Sequence, residues 1–258
     1  MTDLSDDELD RYARHIVLPQ VGGVGQRRLK AANIAVVGAG GIGAAVIPAL
    51  AGAGIGRLTI IDGDVVDLSN LQRQPLYRTA DVGAAKAELA AAFVTDRNPH
   101  VAVTAIAERI DATNADRLLG GHNLIIDGTD NFATRLLVSD TATRLGIPLL
   151  SAAAAQFQGQ VALFRGHEPC RPCYRCFVGD AFDADDCDNC AELGVLGALT
   201  ATVGAFAALA AIRVIVGIGD DSAGTLYLFD GITLTWRPIR LVADSACRTC
   251  GSRDATNR

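Results

Sequence analysis

Residues 33–53 read NIAVVGAGGIGAAVIPALAGA, and the order of residue types in this run decides the fold. A short apolar stretch, 33–38, ends on glycine, and a small-residue run with helical character follows over 41–53. Between them Gly38, Gly40 and Gly43 spell G-x-G-x-x-G, with Gly41 inside the pattern. Glycines there let backbone N–H groups approach phosphate oxygens at a helix N-terminus, where the peptide dipoles favour an anion. Asp62 closes the next apolar strand, 57–62 (RLTIID), about 20 residues on, where a carboxylate can meet ribose hydroxyls. Alone, this specifies an adenine nucleotide, and a dehydrogenase would satisfy it.

Working outward, the alternation continues. A helix is predicted over 83–97, stopped by Asn98-Pro99, and strands over 101–106 and 123–128. A helix over 132–145, closed by Gly146 and Pro148, leads to strands at 148–154 and 160–164. The expected class is therefore α/β: a Rossmann-like, mostly parallel sheet flanked by helices. From His167 to Cys190 the chain turns polar and Cys-rich, as a loop or small zinc-bound lobe would. Beyond a long uncharged segment, 225–230 and 233–242 read as a C-terminal β-hairpin around Gly231. We expect one domain over 1–258, with a nucleotide-binding half (1–165) and a zinc-stapled half (166–258).

Composition narrows the classes. Half of the 258 residues are hydrophobic and a fifth charged, enough for a buried core. Net charge is −6 and no Lys/Arg-rich run occurs, so nucleic acid is not an expected partner. Residues 193–212 carry no charge over a length that could cross a bilayer. They are built from Ala, Gly and Thr and have no flanking basic cluster, so a buried core or dimer-interface helix is expected and no membrane span. The acidic N-terminus has no apolar signal core, and seven cysteines then read as metal or redox chemistry in a reducing, cytoplasmic setting.

The residues after the glycine loop argue against a nicotinamide cofactor. Asn70 and Arg73 lie in NLQRQ, Lys86 follows on a predicted helix, and Asp130 follows the strand at 123–128. Arginine and lysine at phosphates, with a carboxylate available for Mg2+, suit a triphosphate. There is no G-x-x-x-x-G-K-[ST] loop, so this is not a P-loop enzyme. Two C-x-x-C knuckles, Cys173/Cys176 and Cys247/Cys250, could close a four-thiolate structural Zn2+ site. Cys170/Cys173 and Cys187/Cys190 are C-x-x-C pairs as well, so spacing leaves the ligand set open. Cys190, just before the long helix, is a candidate nucleophile or a bystander.

Taken together, the chain resembles the ThiF/MoeB/HesA family of ubiquitin-activating-enzyme-like adenylyltransferases. The matching stretches are RYARHIVLPQVGGVGQRRL (11–29), GAGGIG (38–43), DGDVVDLSNLQRQ (62–74) and Lys86. DGTDNFATR (127–135), CYRC (173–176), GVLG (194–197) and CRTCG (247–251) complete the series. The resemblance implies ATP-dependent adenylylation of the C-terminal Gly carboxylate of a small ubiquitin-like sulfur-carrier protein ending in Gly-Gly, in molybdopterin or thiamine biosynthesis. It implies that Asp62 binds ribose, that Asn70, Arg73 and Lys86 hold phosphates, and that Asp130 coordinates Mg2+. Asn131 and Arg135, in the same motif, are expected at the nucleotide. Arg14 would cross to the neighbouring site of a homodimer, and Cys173, Cys176, Cys247 and Cys250 would be the zinc ligands. Cys190 matches the cysteine that thiamine-type members use in a covalent link with their carrier. Alternatives are an adenylyltransferase of the same fold acting on another carboxylate, or a non-catalytic ATP-binding homologue. The chain departs from the common family pattern at Ser139, Ala152, Ala198, Ala207 and Ala210.

Overall fold

The computed structural model describes residues 3–179 and 194–251. In chain order the elements are α1 (Asp6–Arg11), α2 (Ala13–Ile16), α3 (Gly22–Ala31), β1 (Asn33–Val37), α4 (Gly43–Ala53) and β2 (Arg57–Ile61). Then come α5 (Lys86–Arg97), β3 (Ala102–Ile106), α6 (Ala115–Leu119), β4 (Leu124–Asp127), α7 (Phe132–Leu145) and β5 (Leu149–Ala155). The chain continues with β6 (Gln158–Phe164), α8 (Tyr174–Val178), α9 (Gly197–Val216), β7 (Thr225–Asp230) and β8 (Thr235–Arg240).

The strands form one eight-stranded sheet in the order β3-β2-β1-β4-β5-β6-β7-β8. The first five run parallel, in the 3-2-1-4-5 order of a nucleotide-binding fold, and β6 to β8 continue the sheet antiparallel. The expected hairpin is thus β7–β8, bonded through β6 into the main sheet. Strand β6 begins earlier than the apolar pattern suggests. Only Gln156 and Phe157 separate it from β5, so the pairing runs on to Ala155↔Gln158.

Period-two alternation distributes the apolar residues between two cores. In β1, Ile34 and Val36 enter one cluster while Ala35 and Val37 enter the other. In β4, Leu124 and Ile126 point one way and Ile125 the other. Strands buried on both faces need unbroken apolar runs, which is why these were readable in sequence. Helices α4, α5 and α9 supply residues to the first cluster, α6 and α7 to the second.

The uncharged segment becomes α9, starting at Gly197 and ending at Val216, where Gly217 turns left-handed. It packs on α4, α3, β5 and β6. Its buried stripe, Leu199, Val203, Ala207 and Ala211, follows helical spacing. Each such side chain larger than alanine contributes about 1.5–3 kcal/mol by leaving water, so the helix belongs to the core. Just before it, Gly194 is left-handed at φ +72°, Val195 bridges Gln156 and Leu196 is extended, so none of the three is helical.

No element before residue 33 is predicted from sequence, yet α1 to α3 are held by specific contacts. Tyr12 is buried against Gly54, and its hydroxyl accepts from the Asn98 amide at 2.8 Å. Ser5 and Glu8 form a capping box on α1, and Glu8 pairs with Lys30 at 2.6 Å. Helices α1 and α2 are too short to carry a readable periodicity, and tertiary contacts stabilise them.

Candidate nucleotide cleft and four-thiol knot

The C-terminal ends of β1, β2 and β4 open onto a cleft of about 1290 Å³. It lies where the strand order reverses between β1 and β4, the place where open α/β sheets take ligands. Gly38, Gly40, Gly41, Asp62, Asn70, Arg73, Lys86, Asp130, Asn131 and Arg135 all line it. Gly43 lies just behind, as the first residue of α4. A Cβ on Gly43 would stand 2.2 Å from the Gly38 carbonyl oxygen, and Gly38 itself has φ +89°. Only glycine permits this turn to close so tightly.

The glycine loop is clamped from both sides. The Ala39 N–H donates to the Asp62 carboxylate at 2.7 Å, and the Tyr77 hydroxyl donates to the Ala39 carbonyl at 2.8 Å. Asp62 also accepts from the Asp64 N–H at 2.8 Å. Burial pushes the Asp62 carboxyl above its ordinary range, against the pull of these N–H groups and of Lys86. Tyr77 is buried, which pushes its phenol upward and keeps it a neutral donor.

Two cations enter the cleft on shaped backbone. Lys86 is buried, with Nζ 3.6 Å from Asp64, and Asp64 also holds Arg109 at 2.9 Å. Arg73 follows a 3-10 turn, Leu68–Asn70, capped by Asp67, and its guanidinium donates to the Ser69 carbonyl at 3.0 Å. The start of α9 braces this turn: a Cβ on Gly197 would meet the Gln72 carbonyl at 2.1 Å. Gln74 is buried beside Gly40, and its Oε1 has no hydrogen-bond partner among the described residues. Asp64, Tyr77 and Arg109 were not singled out from sequence, because their roles depend on contacts between separate loops.

Asn131 and Arg135 have structural work at the cleft wall. Asn131 caps α7, accepting from the Thr134 N–H at 2.9 Å, and the Arg135 Nε donates to the Thr129 carbonyl at 2.9 Å. Asp127, fully buried, accepts from the Thr129 N–H and hydroxyl, and burial raises its carboxyl. Together they shape the turn that presents Asp130, whose carboxylate is exposed to the cleft. Arg14 is elsewhere: it stands exposed on α2 and does not line the cleft. Ala152, one of the departures, is buried in β5.

The sulfurs of Cys173, Cys176, Cys247 and Cys250 lie within 4.8 Å of one another. Neighbouring pairs are 3.9, 3.6 and 3.4 Å apart, with no disulfide among them. Tetrahedral zinc with Zn–S bonds of about 2.3 Å requires sulfurs about 3.8 Å apart, so the donor set and its size fit a closed zinc site. Hydrogen bonds from Cys173 and Cys250 hold the Cys176 sulfur down toward the thiolate, and the Asp244 N–H adds another at 3.4 Å. Cys170 is exposed and outside the cluster. Cys187 and Cys190 lie outside the described residues.

Comparison with known proteins agrees with this architecture. The ThiF family pattern matches residues 12–249. A sulfur carrier protein adenylyltransferase of Thermus thermophilus is 44% identical over 95% of this chain and 92% of its own. A molybdopterin-synthase adenylyltransferase of Salmonella typhimurium is 38% identical over 97% of this chain and all of its own. A probable adenylyltransferase/sulfurtransferase, MoeZ, of Mycobacterium tuberculosis is 40% identical over 93% of this chain, which spans 62% of that protein. Among solved structures, Escherichia coli MccB with MccA-N7isoASN superposes with a TM-score of 0.83 over 96% of this chain and 75% of that one, at 22% identity. The sheet order, the cleft at its switch point and the match along nearly the whole length lead to one conclusion: the chain belongs to the ThiF family.

Proposed function

We propose that this chain is an adenylyltransferase that uses ATP and Mg2+ to activate the C-terminal Gly carboxylate of a small ubiquitin-like sulfur-carrier protein, releasing pyrophosphate. The observation that carries the reading is the gathering of Lys86, Arg73, Asp62 and Asp130 around one glycine loop in a single cleft. The relatives at 44% and 38% identity, named for sulfur-carrier and molybdopterin-synthase adenylylation, support the same chemistry.

The glycine loop and the start of α4 receive phosphate oxygens, and Asp62 takes the ribose. Arg73 and Lys86 counter the charge as the carrier carboxylate attacks the α-phosphorus and pyrophosphate departs, and Asn70 adds a donor beside them. No protein nucleophile is required. The two reactants are both anions, so alignment in a cationic cleft is the main service of the protein. Asp130 would hold Mg2+, which when bound would screen the phosphate charge. Lys86 leans on Asp64, and with Arg109 also pairing that carboxylate, the ammonium can turn to phosphate without stranding Asp64.

Arg14 serves the neighbouring cleft of a homodimer. It leaves α2 beside exposed Val17 and Leu18, apolar surface that a second copy would cover. The four-thiol knot holds one structural Zn2+ per chain, pinning the segment after β8 to the entrance of α8. We place the enzyme in the cytoplasm, where reduced thiols persist.

The test is ATP–pyrophosphate exchange with a panel of small carriers ending in Gly-Gly. Exchange that requires one carrier and Mg2+, and that is abolished in a folded Asp130→Ala variant, supports the reading and identifies the pathway. Exchange absent with every carrier, while ATP binds, refutes the carrier assignment and redirects the chemistry to another carboxylate.

A further inference from the structure

We propose that Asp140 is the positioning residue of the four-thiol knot, one carboxylate on α7 holding both C-x-x-C knuckles in register through their inner residues. The inference rests on reading the knot as a zinc site. Arg175 lies inside the first knuckle and Thr249 inside the second. The Arg175 Nε is 3.0 Å from both Asp140 oxygens, and its Nη2 is 2.9 Å from Oδ2. The Thr249 hydroxyl donates to Asp140 Oδ1 at 2.8 Å. The two knuckles therefore meet twice, once at the sulfurs and once at this carboxylate.

The arrangement is matched to its chemistry. The Arg175 side chain is only 6% exposed, so its charge requires a fixed partner. An ionised carboxylate has about four acceptor positions and can take a forked guanidinium and a hydroxyl together. Asp140 is also a stationary point. It sits on a 14-residue helix whose Leu136, Val138 and Ala142 are buried in the second core.

The knuckles, in contrast, come from separate parts of the chain, one at the start of α8 and one beyond β8. No local geometry sets their separation. Four sulfurs brought within 4.8 Å repel once deprotonated, and an outer contact that fixes the knuckles lowers the cost of assembling the ligand set. Asp140 supplies that contact from α7, the helix whose first turn shapes the cleft wall at Asn131 and Arg135.

The experiment uses the full zinc-loaded chain and follows transfer of zinc to a chromophoric chelator. Thr249→Val and Thr249→Ser are compared with the unaltered protein, then Asp140→Asn and the Asp140→Asn/Thr249→Val double variant. Asp140→Asn is expected to release zinc about 10–100-fold faster, the range typical of lost outer-shell partners. Thr249→Val should speed release by a smaller factor, and Thr249→Ser, which keeps the hydroxyl, should restore it. Because both contacts end on one side chain, the two changes should combine to less than the product of their separate effects. Equal release rates in a zinc-loaded protein and its Thr249→Val variant overturn the positioning role and leave the zinc reading standing. A folded, unaltered protein carrying no zinc overturns both. Should Asp140→Asn fail to fold, the Val and Ser variants of Thr249 decide the matter by themselves.

Discussion

Replacing Gly43 by alanine is a one-carbon test of the glycine loop. The new Cβ would stand 2.2 Å from the Gly38 carbonyl oxygen, where carbon and oxygen ordinarily keep about 3.3 Å apart. Something must move by about 1 Å. Gly38 cannot retreat, because its own face meets the Gly128 backbone, with a Cβ position 3.1 Å from the Gly128 carbonyl carbon. The displacement therefore passes into Ala39 and Gly40, loosening the clamps from Asp62 and Tyr77. A misplacement of about 1 Å at a positioning element costs on the order of 100-fold in rate, and the overpacking itself destabilises by about 1–3 kcal/mol. Gly52, in the same helix, is the internal control: it is exposed and nothing lies within 4 Å of its missing Cβ. Gly52→Ala should raise stability by about 0.5–1 kcal/mol and leave nucleotide affinity unchanged. Thermal unfolding reads the stability, titration with a fluorescent ATP analogue the affinity, and ATP–pyrophosphate exchange the rate. A folded Gly43→Ala variant that binds nucleotide normally would refute the assignment of this loop as the phosphate cradle.

Two further predictions concern the N-terminal arm. Glu8 is held below the ordinary glutamate range, burial being outweighed by hydrogen bonds from Lys30 and the Ser5 backbone N–H. A lowered carboxylate pKa in the folded state stabilises above the unfolded value and loses that contribution as pH falls through the folded one. Glu8→Gln should thus cost about 1.5–3 kcal/mol at pH 7 and progressively less as acid protonates the native carboxylate; a pH-independent loss in thermal melts would contradict this. For the composite site, Arg14→Ala and Asp130→Ala should each be inactive alone. Mixed and re-equilibrated, they should recover about one quarter of normal exchange, since half the dimers pair the two variants and each such pair rebuilds one intact cleft. No recovery from a verified mixed dimer would place Arg14 outside the partner's site.

What was legible in the sequence followed from two physical signals. The central parallel strands β1 and β4 are buried on both faces, so they had to be nearly continuous apolar runs, and their ends were readable to within a residue or two. Gly38, Asp62 and Asp130 were legible because each closely follows the end of a strand in a fold whose strand order brings those ends together, while Lys86 opens helix α5 beside them. Other features depend on contacts that carry no local pattern. Tyr77 reaches Ala39 across 38 residues, and Asn98 holds Tyr12 across 86. Nothing in the neighbourhood of either residue distinguishes it from an ordinary polar side chain. Helices α1 and α2 were unreadable for the same reason, being too short to show periodicity and stabilised from outside.

The same distinction explains why the knuckles alone did not define the four-thiol knot. Four C-x-x-C pairs compete in sequence, and the separation of Cys173/Cys176 from Cys247/Cys250 says nothing about their meeting. Their convergence depends on β8, which returns the chain to the end of the sheet, and on Asp140, which lies on a different element from both knuckles. A carboxylate in the middle of a helix is ordinarily read as solvated surface. Here it is one-third exposed and holds a buried guanidinium, a hydroxyl and, through them, four sulfurs. The knot is therefore joined to the nucleotide half through α7, whose first turn borders the phosphate cleft and whose later turn holds the knuckles. A chain divided at residue 165 into two independent halves would cut across this helix-mediated contact, separating Asp140 from both of its partners. Removing the segment after β8 should expose the buried Arg175 guanidinium as well as the cysteines.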